Sequence, residues 1–442
     1  MTSDVVSAPG VGLPGTLRRN SRDSLLGFVG PLVFLFVFTP LLIRGMGTSG
    51  YGVWALALST LGFMGVFELG LGTALAKFIA EDIARSDTEA LSRTVTGGAV
   101  MYLSIGVVLT VPVFLGASWL SPHFASDDVA SEVIGSALRV ASLGFVPQML
   151  RSGALAVPMG MQRFRPILVL SNLHSLATLV GALLVMTLGG TIPQIVAGSV
   201  GAQLLVSLAA LLVAGSMLRN AGAEVRFSMQ ALRKMRGFLF FTSTTGIGTT
   251  LFTWLDRLIV GAILGVAQLA IYSVATSLAV KILHLADHWS RPLMPASSAV
   301  MVKEGPRAVG SLLKGYTLRV ALAAIAVAGA GWFLAEPFLE LWVGPGFAGQ
   351  AADALRILIV VYAVIATNAP AYHVANGVGV PWICALGAVV GGLSALALIA
   401  VLADAAHIEG AALGNAGYFL TLLIPWYMVK RLGREARAAG AS

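Results

Sequence analysis

The chain has 442 residues, of which 57% are apolar and only 11% charged, with a mean hydropathy of +0.87. A soluble domain carries about a quarter charged residues, so this composition excludes a chain that must cover itself with a water-facing surface. The net charge of +8 does not indicate nucleic acid, because the bases sit between apolar stretches, where membrane proteins keep them; a single cysteine, Cys384, excludes intramolecular disulfides and zinc sites built on paired cysteines.

In chain order, residues 1–23 form a polar tail carrying Arg18, Arg19 and Arg22. About twelve apolar stretches follow, each long enough to cross a bilayer as a helix. They cover 24–43, 51–70, 94–116, 132–157, 166–188 and 192–217, then 237–264, 266–290, 313–335, 351–375, 381–402 and 408–428. No small-residue cleavage site follows the first, which reads as a retained helix. A basic linker at 218–236 divides the chain at its middle. It separates a six-helix half at 24–217 from a second at 237–428, and residues 429–442 form a basic tail. The loops are too short to hold a soluble catalytic domain.

Loop charge orients this map. One set of loops carries Lys77, Arg85 and Arg93, then Arg163 and Arg165, then Arg219 to Arg236, then Arg291, Lys303, Arg307 and Lys314, and the tail adds Lys430, Arg431, Arg434 and Arg437. The opposite loops hold Arg44 as almost their only base, and they carry Asp127, Asp128, Glu336, Glu340, Asp404 and Glu409. The loop at 375–382 belongs to the basic set and has no base at all. The asymmetry predicts an even number of crossings with both termini in the cytoplasm.

The halves share a weak repeat. Leu41-Leu42-Ile43-Arg44-Gly45-Met46-Gly47 followed by Tyr51 closes the first hairpin, and Leu258 to Gly265 followed by Tyr272 closes the seventh-to-eighth hairpin. Each is an apolar run, a glycine turn and a tyrosine opening the next span, as expected of parallel internal repeats.

Polar groups inside a bilayer are costly and point to function. In the seventh span Thr242, Thr245, Thr249, Thr253 and Asp256 recur at helical spacing; in the eighth, Ser273, Ser277, Lys281, His284 and His288 do the same. Two consecutive striped helices predict a common hydrated cavity. The alternative is that the hydroxyls bond carbonyls one turn back and pack helices. Across the hairpin Asp256 is expected to pair with Lys281, either in that cavity or as a buried ion pair. Arg257 points about 100° away from Asp256 on the same helix. Arg44 ends the first span and Glu68 the second. His284 and His288 with Asp287 have metal-compatible i, i+4 spacing but no evident third ligand, so no metal and no cofactor is expected. No nucleotide-binding P-loop and no nucleophile set occurs, which argues against an enzyme.

Three stretches carry a family resemblance. Gly50-Tyr51-Gly52-Val53-Trp54-Ala55-Leu56, Phe67 to Glu81, and Asp256-Arg257-Leu258-Ile259-Val260-Gly261 with Tyr272-Ser273-Val274-Ala275 resemble signatures of bacterial polysaccharide flippases. That family sits in the superfamily of multidrug and oligosaccharidyl-lipid exporters. In the second stretch Glu68 stands where these proteins usually have Asp. The resemblance implies an all-α integral membrane protein of two six-helix bundles forming a V that opens alternately to each side. It implies transport of undecaprenyl-pyrophosphate-linked oligosaccharide between leaflets of a bacterial inner membrane, for surface polysaccharide synthesis, with a polysaccharide polymerase and co-polymerase as partners. On this reading Arg257, Lys281 and Arg44 attract the pyrophosphate, while Thr249, Thr253 and Ser277 line the cavity. Asp256, Glu68 and His284 then serve coupling or gating. Two other readings stay open: an ion-coupled multidrug exporter of the same superfamily, with a more apolar and acidic cavity, and a non-transporting enzyme or scaffold of polysaccharide assembly.

Overall fold

The computed structural model describes the backbone of residues 14–64, 69–126, 128–223 and 229–439, and the side chains of 30–63, 71–126, 128–223 and 254–438. Among these residues the protein is nearly all helix: there is no strand, only one isolated bridge between Ser126 and Val129. Helices α1 (Pro14–Met64), α2 (Leu69–Ala84), α3 (Thr88–Leu120), α4 (Ser131–Leu143), α5 (Phe145–Gly160), α6 (Phe164–Thr187) and α7 (Ile192–Asn220) make the first half. Helix α8 (Met229–Ser290) leads into α9 (Leu293–Glu304), α10 (Pro306–Trp342), α11 (Pro345–Ala366), α12 (Ala369–Gly377), α13 (Pro381–Gly414) and α14 (Leu423–Ala439), with a 3-10 stretch at Asn415–Leu422 between the last two.

Nine segments among the described residues are long and apolar enough to cross a membrane. Side chains such as Leu188, Phe333 and Leu341 are 78%, 80% and 86% exposed, and exposed apolar surface on this scale calls for lipid rather than water. With lipid outside, every backbone group must be paired within its own segment, and helix achieves that.

Three of the long helices are broken. Helix α1 breaks at Gly47 (φ 72, ψ 170) and α8 at Gly265 (φ 80, ψ 172), in the turns expected from the repeated hairpins. These near-identical angles lie in a region essentially reserved for glycine, so the repeat seen in sequence is also a repeat of backbone shape. Helix α13 breaks at Ala406 and His407, between the spans expected at 381–402 and 408–428. Two expected spans are instead split. The stretch 132–157 divides into α4 and α5 at Gly144, and 351–375 divides into α11 and α12 at Thr367 and Asn368. The stretch expected as a linker at 218–236 is largely helical at its ends, since α7 runs to Asn220 and α8 starts at Met229.

Helix ends are set locally. Asp87 accepts the amide of Ala90 at 2.8 Å to cap α3, and Thr191 with Gln194 forms a capping box on α7. Proline opens α10, α11 and α13, where a missing N–H costs nothing.

Helices α2–α7 pack with one another, α9–α14 do likewise, and α8 packs against both groups and against α1. The core follows a definite pattern. One continuous apolar cluster draws on both halves, with Leu42, Trp54, Phe124, Phe145, Leu269, Leu339, Leu355 and Ile408 among its members. Its residues flank the acidic loops and the glycine turns. Near the basic loops the core divides. One cluster holds only residues between Leu71 and Met217, and another only residues between Leu293 and Leu432. Among residues with described side chains, the core shared by the halves lies at the acidic end, and the clusters at the basic end each draw on one half.

Candidate functional site

The second half of α8 turns back at Gly265 and packs against its own first arm. That fold places Asp256 opposite Tyr272, near the seal between the halves. Asp256 is 4% exposed. Its Oδ1 accepts the Arg257 amide at 2.7 Å and its Oδ2 accepts the Tyr272 hydroxyl at 3.0 Å. Asn415 donates to the same Tyr272 oxygen at 2.8 Å, and the Asn415 amide also reaches the carbonyls of Ala411 and Ala412. A carboxylate buried this far needs such donors, because leaving water without them costs several kcal/mol (order of magnitude). No cation forms an ion pair with Asp256 among the described residues.

The expected Asp256–Lys281 pair is therefore not formed. The reason is register. Asp256 lies nine residues before the turn at Gly265 and Lys281 sixteen after it, so along antiparallel arms Lys281 sits about 10 Å further from the turn, at 1.5 Å per residue. Lys281 is half-buried and makes no hydrogen bond or ion pair with the described residues. The Arg257 side chain reaches Ser277 and Trp254 and forms no ion pair with Asp256. Its Nη2 donates to Ser277 Oγ at 3.2 Å, its guanidinium carbon lies 4.9 Å from the Trp254 ring, and its Nε has no partner among the described residues. Arg257, Ser277 and Lys281 thus share one side of the α8 hairpin.

The other side of that hairpin lines a cavity of about 330 Å³ inside the second half. Asp256 lies at one end, and His284 and Asp287 lie at the basic end of the same wall. Tyr362, Tyr372 and Tyr418 contribute rings, with Asn368 and Cys384 between them. At its basic end Asp287 Oδ1 lies 2.9 Å from His373 Nε2, and Oδ2 accepts from Arg291 at 3.1 Å, tying α8 to α12. The stripe expected from sequence is consequently divided: His284 faces this cavity while Ser277 and Lys281 do not line it. Ser273 is buried, with no partner for its hydroxyl among the described residues.

Arg44 lies apart from all of these. It sits at the sealed end, exposed, where Nε and Nη2 reach the carbonyls of Val343 and Trp342 at 3.5 and 3.4 Å, at the C-terminus of α10. Beside it Trp342 donates to the Phe36 carbonyl at 2.7 Å and stacks on Phe338. Glu68, and the side chains of Thr242, Thr245, Thr249 and Thr253, lie outside the described residues. Among the described residues no group of three metal-ligating side chains is clustered.

Sequence reasoning missed the tyrosines. Tyr362, Tyr372 and Tyr418 recur at no helical period, since they come from three different segments, and only the tertiary fold collects them. It also missed Asn415, whose neighbours Gly414 and Gly417 let the last span approach Ile399 and Ala395 closely.

A nearly all-helical bundle sealed at one end, with a polar centre on a broken helix, is the architecture of a membrane transporter. A multidrug-resistance MATE family transporter of the MOP superfamily, in its inward-facing conformation, has a TM-score of 0.76 at 15% identity, over 93% of this chain and 99% of that one. The lipid II flippase MurJ, inward closed, gives 0.73 at 13% identity, over 93% and 87%. A Shigella flexneri protein named as a candidate O-antigen transporter is 22% identical over 350 residues, covering 78% of this chain and 81% of that protein. The family model described as "Polysaccharide biosynthesis protein" matches residues 25–300. The chain belongs to that family of multi-pass membrane proteins.

Proposed function

We propose that the protein moves a lipid-linked oligosaccharide, joined through pyrophosphate to a polyprenyl carrier, from the inner to the outer leaflet of a bacterial plasma membrane. The observation that carries this reading is the division of the core. Among residues with described side chains, one cluster joins the halves at the acidic end and the clusters at the basic end each draw on one half, which suits two bundles, 24–217 and 237–428, that rock about that joint in alternating access. The basic end then faces the cytoplasm, where newly made substrate arrives, and both termini lie there. Arg257 and Lys281 lie on one side of the α8 hairpin, outside any ion pair with the described residues. They supply the positive charge that a pyrophosphate requires, the guanidinium as a fork and the ammonium as a point charge. Ser277 adds a hydroxyl beside them. Asp256 is the coupling group, since a buried carboxylate held only by neutral donors has room for a proton or cation. His284 and Glu68 act in gating. No chemical step on the substrate is required, and polymerase and co-polymerase act on the delivered glycan.

The test is reconstitution. Proteoliposomes holding a fluorescent lipid-linked oligosaccharide should show protein-dependent exposure of the sugar in the opposite leaflet. Arg257→Gln and Lys281→Gln should each slow it at least about tenfold, as expected for loss of a charged contact. Wild-type rates in both variants overturn the assignment of Arg257 and Lys281 to the substrate path; no movement by the wild type overturns the substrate.

The aromatic cavity favours a second reading. Its tyrosines, with Asp256 at one end and Asp287 at the other, suit a small organic cation, the cargo of a drug exporter. Uptake of such cations by the same proteoliposomes, with the glycan left unmoved, selects it.

A further inference from the structure

We propose that the exposed face of α14 is a docking site for anionic phospholipid in the leaflet bordering the basic end. One side of α14 is committed to the fold: Ile424, Met428 and Leu432 are buried in the apolar core of the second half. The opposite side has no protein partner among the described residues. Leu423, Trp426 and Val429 are exposed along it, and Lys430, Arg434 and Arg437 continue the same helical face toward the C-terminus. The face therefore runs from apolar to cationic along about 20 Å of helix, at 1.5 Å per residue. Acyl chain and phosphate follow each other in that order at a membrane surface.

Three further features fit this occupant. Trp426 is 60% exposed and Lys430 lies 4.6 Å from its ring, the aromatic-with-cation pairing that sits at headgroup depth. Trp382, 52% exposed and edge-on to Tyr427 at 5.4 Å, marks the same level on the neighbouring helix. The charge on the face is also of one sign. Glu435 is half-buried off this stripe and is occupied by Arg431 at 2.6 Å, so among the described residues no carboxylate pairs with Lys430, Arg434 or Arg437. A phosphodiester anion anchored by its own chains complements this surface, whereas a zwitterionic headgroup brings a cation to it.

Spin-labelled lipids test the site in the intact protein reconstituted in phosphatidylcholine. The motionally restricted spectrum should show a preference for phosphatidylglycerol over phosphatidylcholine of at least about threefold, given that one base near the surface attracts such lipids by about fivefold, and it should weaken in high salt. The triple variant Lys430→Gln, Arg434→Gln, Arg437→Gln should lose most of the preference while keeping the wild-type melting temperature. The control triple Lys303→Gln, Arg307→Gln, Lys314→Gln, which removes equal charge elsewhere at the same end, should keep it. A preference that survives the α14 variant, that vanishes equally in the control, or that the wild type lacks overturns the proposal. The readout does not depend on transport, so it stands or falls apart from the function proposed above.

Discussion

Tyr272 holds Asp256 from one side and Asn415 from the other: its hydroxyl lies 3.0 Å from the carboxylate and 2.8 Å from the amide. One oxygen thereby joins the two arms of α8 to the 3-10 stretch that follows α13. Removing it in Tyr272→Phe leaves the carboxylate with one donor fewer and strips the Asn415 amide of a partner. The expected cost is about 1–3 kcal/mol, read as a lower melting temperature in detergent. Asp256→Asn keeps the shape and should melt close to wild type, yet abolish coupled transport in proteoliposomes. A fully active Asp256→Asn would remove this residue from the mechanism.

Trp54 belongs to the first hairpin, and its indole N–H is satisfied from the far side of the first half. It donates to Ser199 Oγ at 3.0 Å, Ser199 donates to the Thr178 carbonyl at 3.0 Å, and Gln203 reaches Thr178 Oγ1 at 3.1 Å. Ser199→Ala orphans a buried indole and should destabilise by about 1–3 kcal/mol. Trp54→Phe with Ser199→Ala should cost less than the sum of the single changes, because the double variant leaves no donor stranded. Additive melting shifts would show that the bond contributes nothing.

Arg44 and Arg257 are both arginines in spans, and the structure gives them different work. Arg44 completes the carbonyls at the end of α10 over long, exposed contacts, so Arg44→Gln should cost less than about 1 kcal/mol and leave glycan export nearly intact in a complementation assay. Arg257→Gln should abolish export in the same assay. Equal loss in both variants would place Arg44 on the substrate path.

The class of fold was legible because it rests on composition: a chain with 11% charge has few ways to exist outside a bilayer. The glycine turns were legible because Gly47 and Gly265 each interrupt a long apolar run. The cavity was only half legible. Helical spacing placed Ser277, Lys281 and His284 on one stripe, but a stripe about 100° wide spans two environments once neighbours pack on both sides. His284 falls into the tyrosine-lined cavity and Lys281 outside it. The Asp256–Lys281 pairing failed for a different reason, since sequence fixes which residues share a face and leaves the vertical register across a hairpin to the turn.

The glycines of the first hairpin offer the sharpest test of the seal between the halves. A Cβ at Gly52 would overlap the Val266 carbonyl, just past the turn at Gly265; a Cβ at Gly47 meets nothing within 4 Å, but the residue has φ 72. Gly47→Ala therefore suffers backbone strain alone, about 1–3 kcal/mol. Gly52→Ala has acceptable helical angles and must instead push the two repeats apart where they touch, costing about 1–3 kcal/mol or more. The two variants should differ in kind. Gly47→Ala should melt earlier but move substrate at the wild-type rate below its melting point. Gly52→Ala should loosen the sealed end even while folded, so that an impermeant thiol reagent added from that end labels a cysteine placed at Tyr51 in a Cys384→Ala background, a position 6% exposed in the wild type. Equal protection of that cysteine with and without the Gly52 change would show that the hairpin contact does not hold the seal.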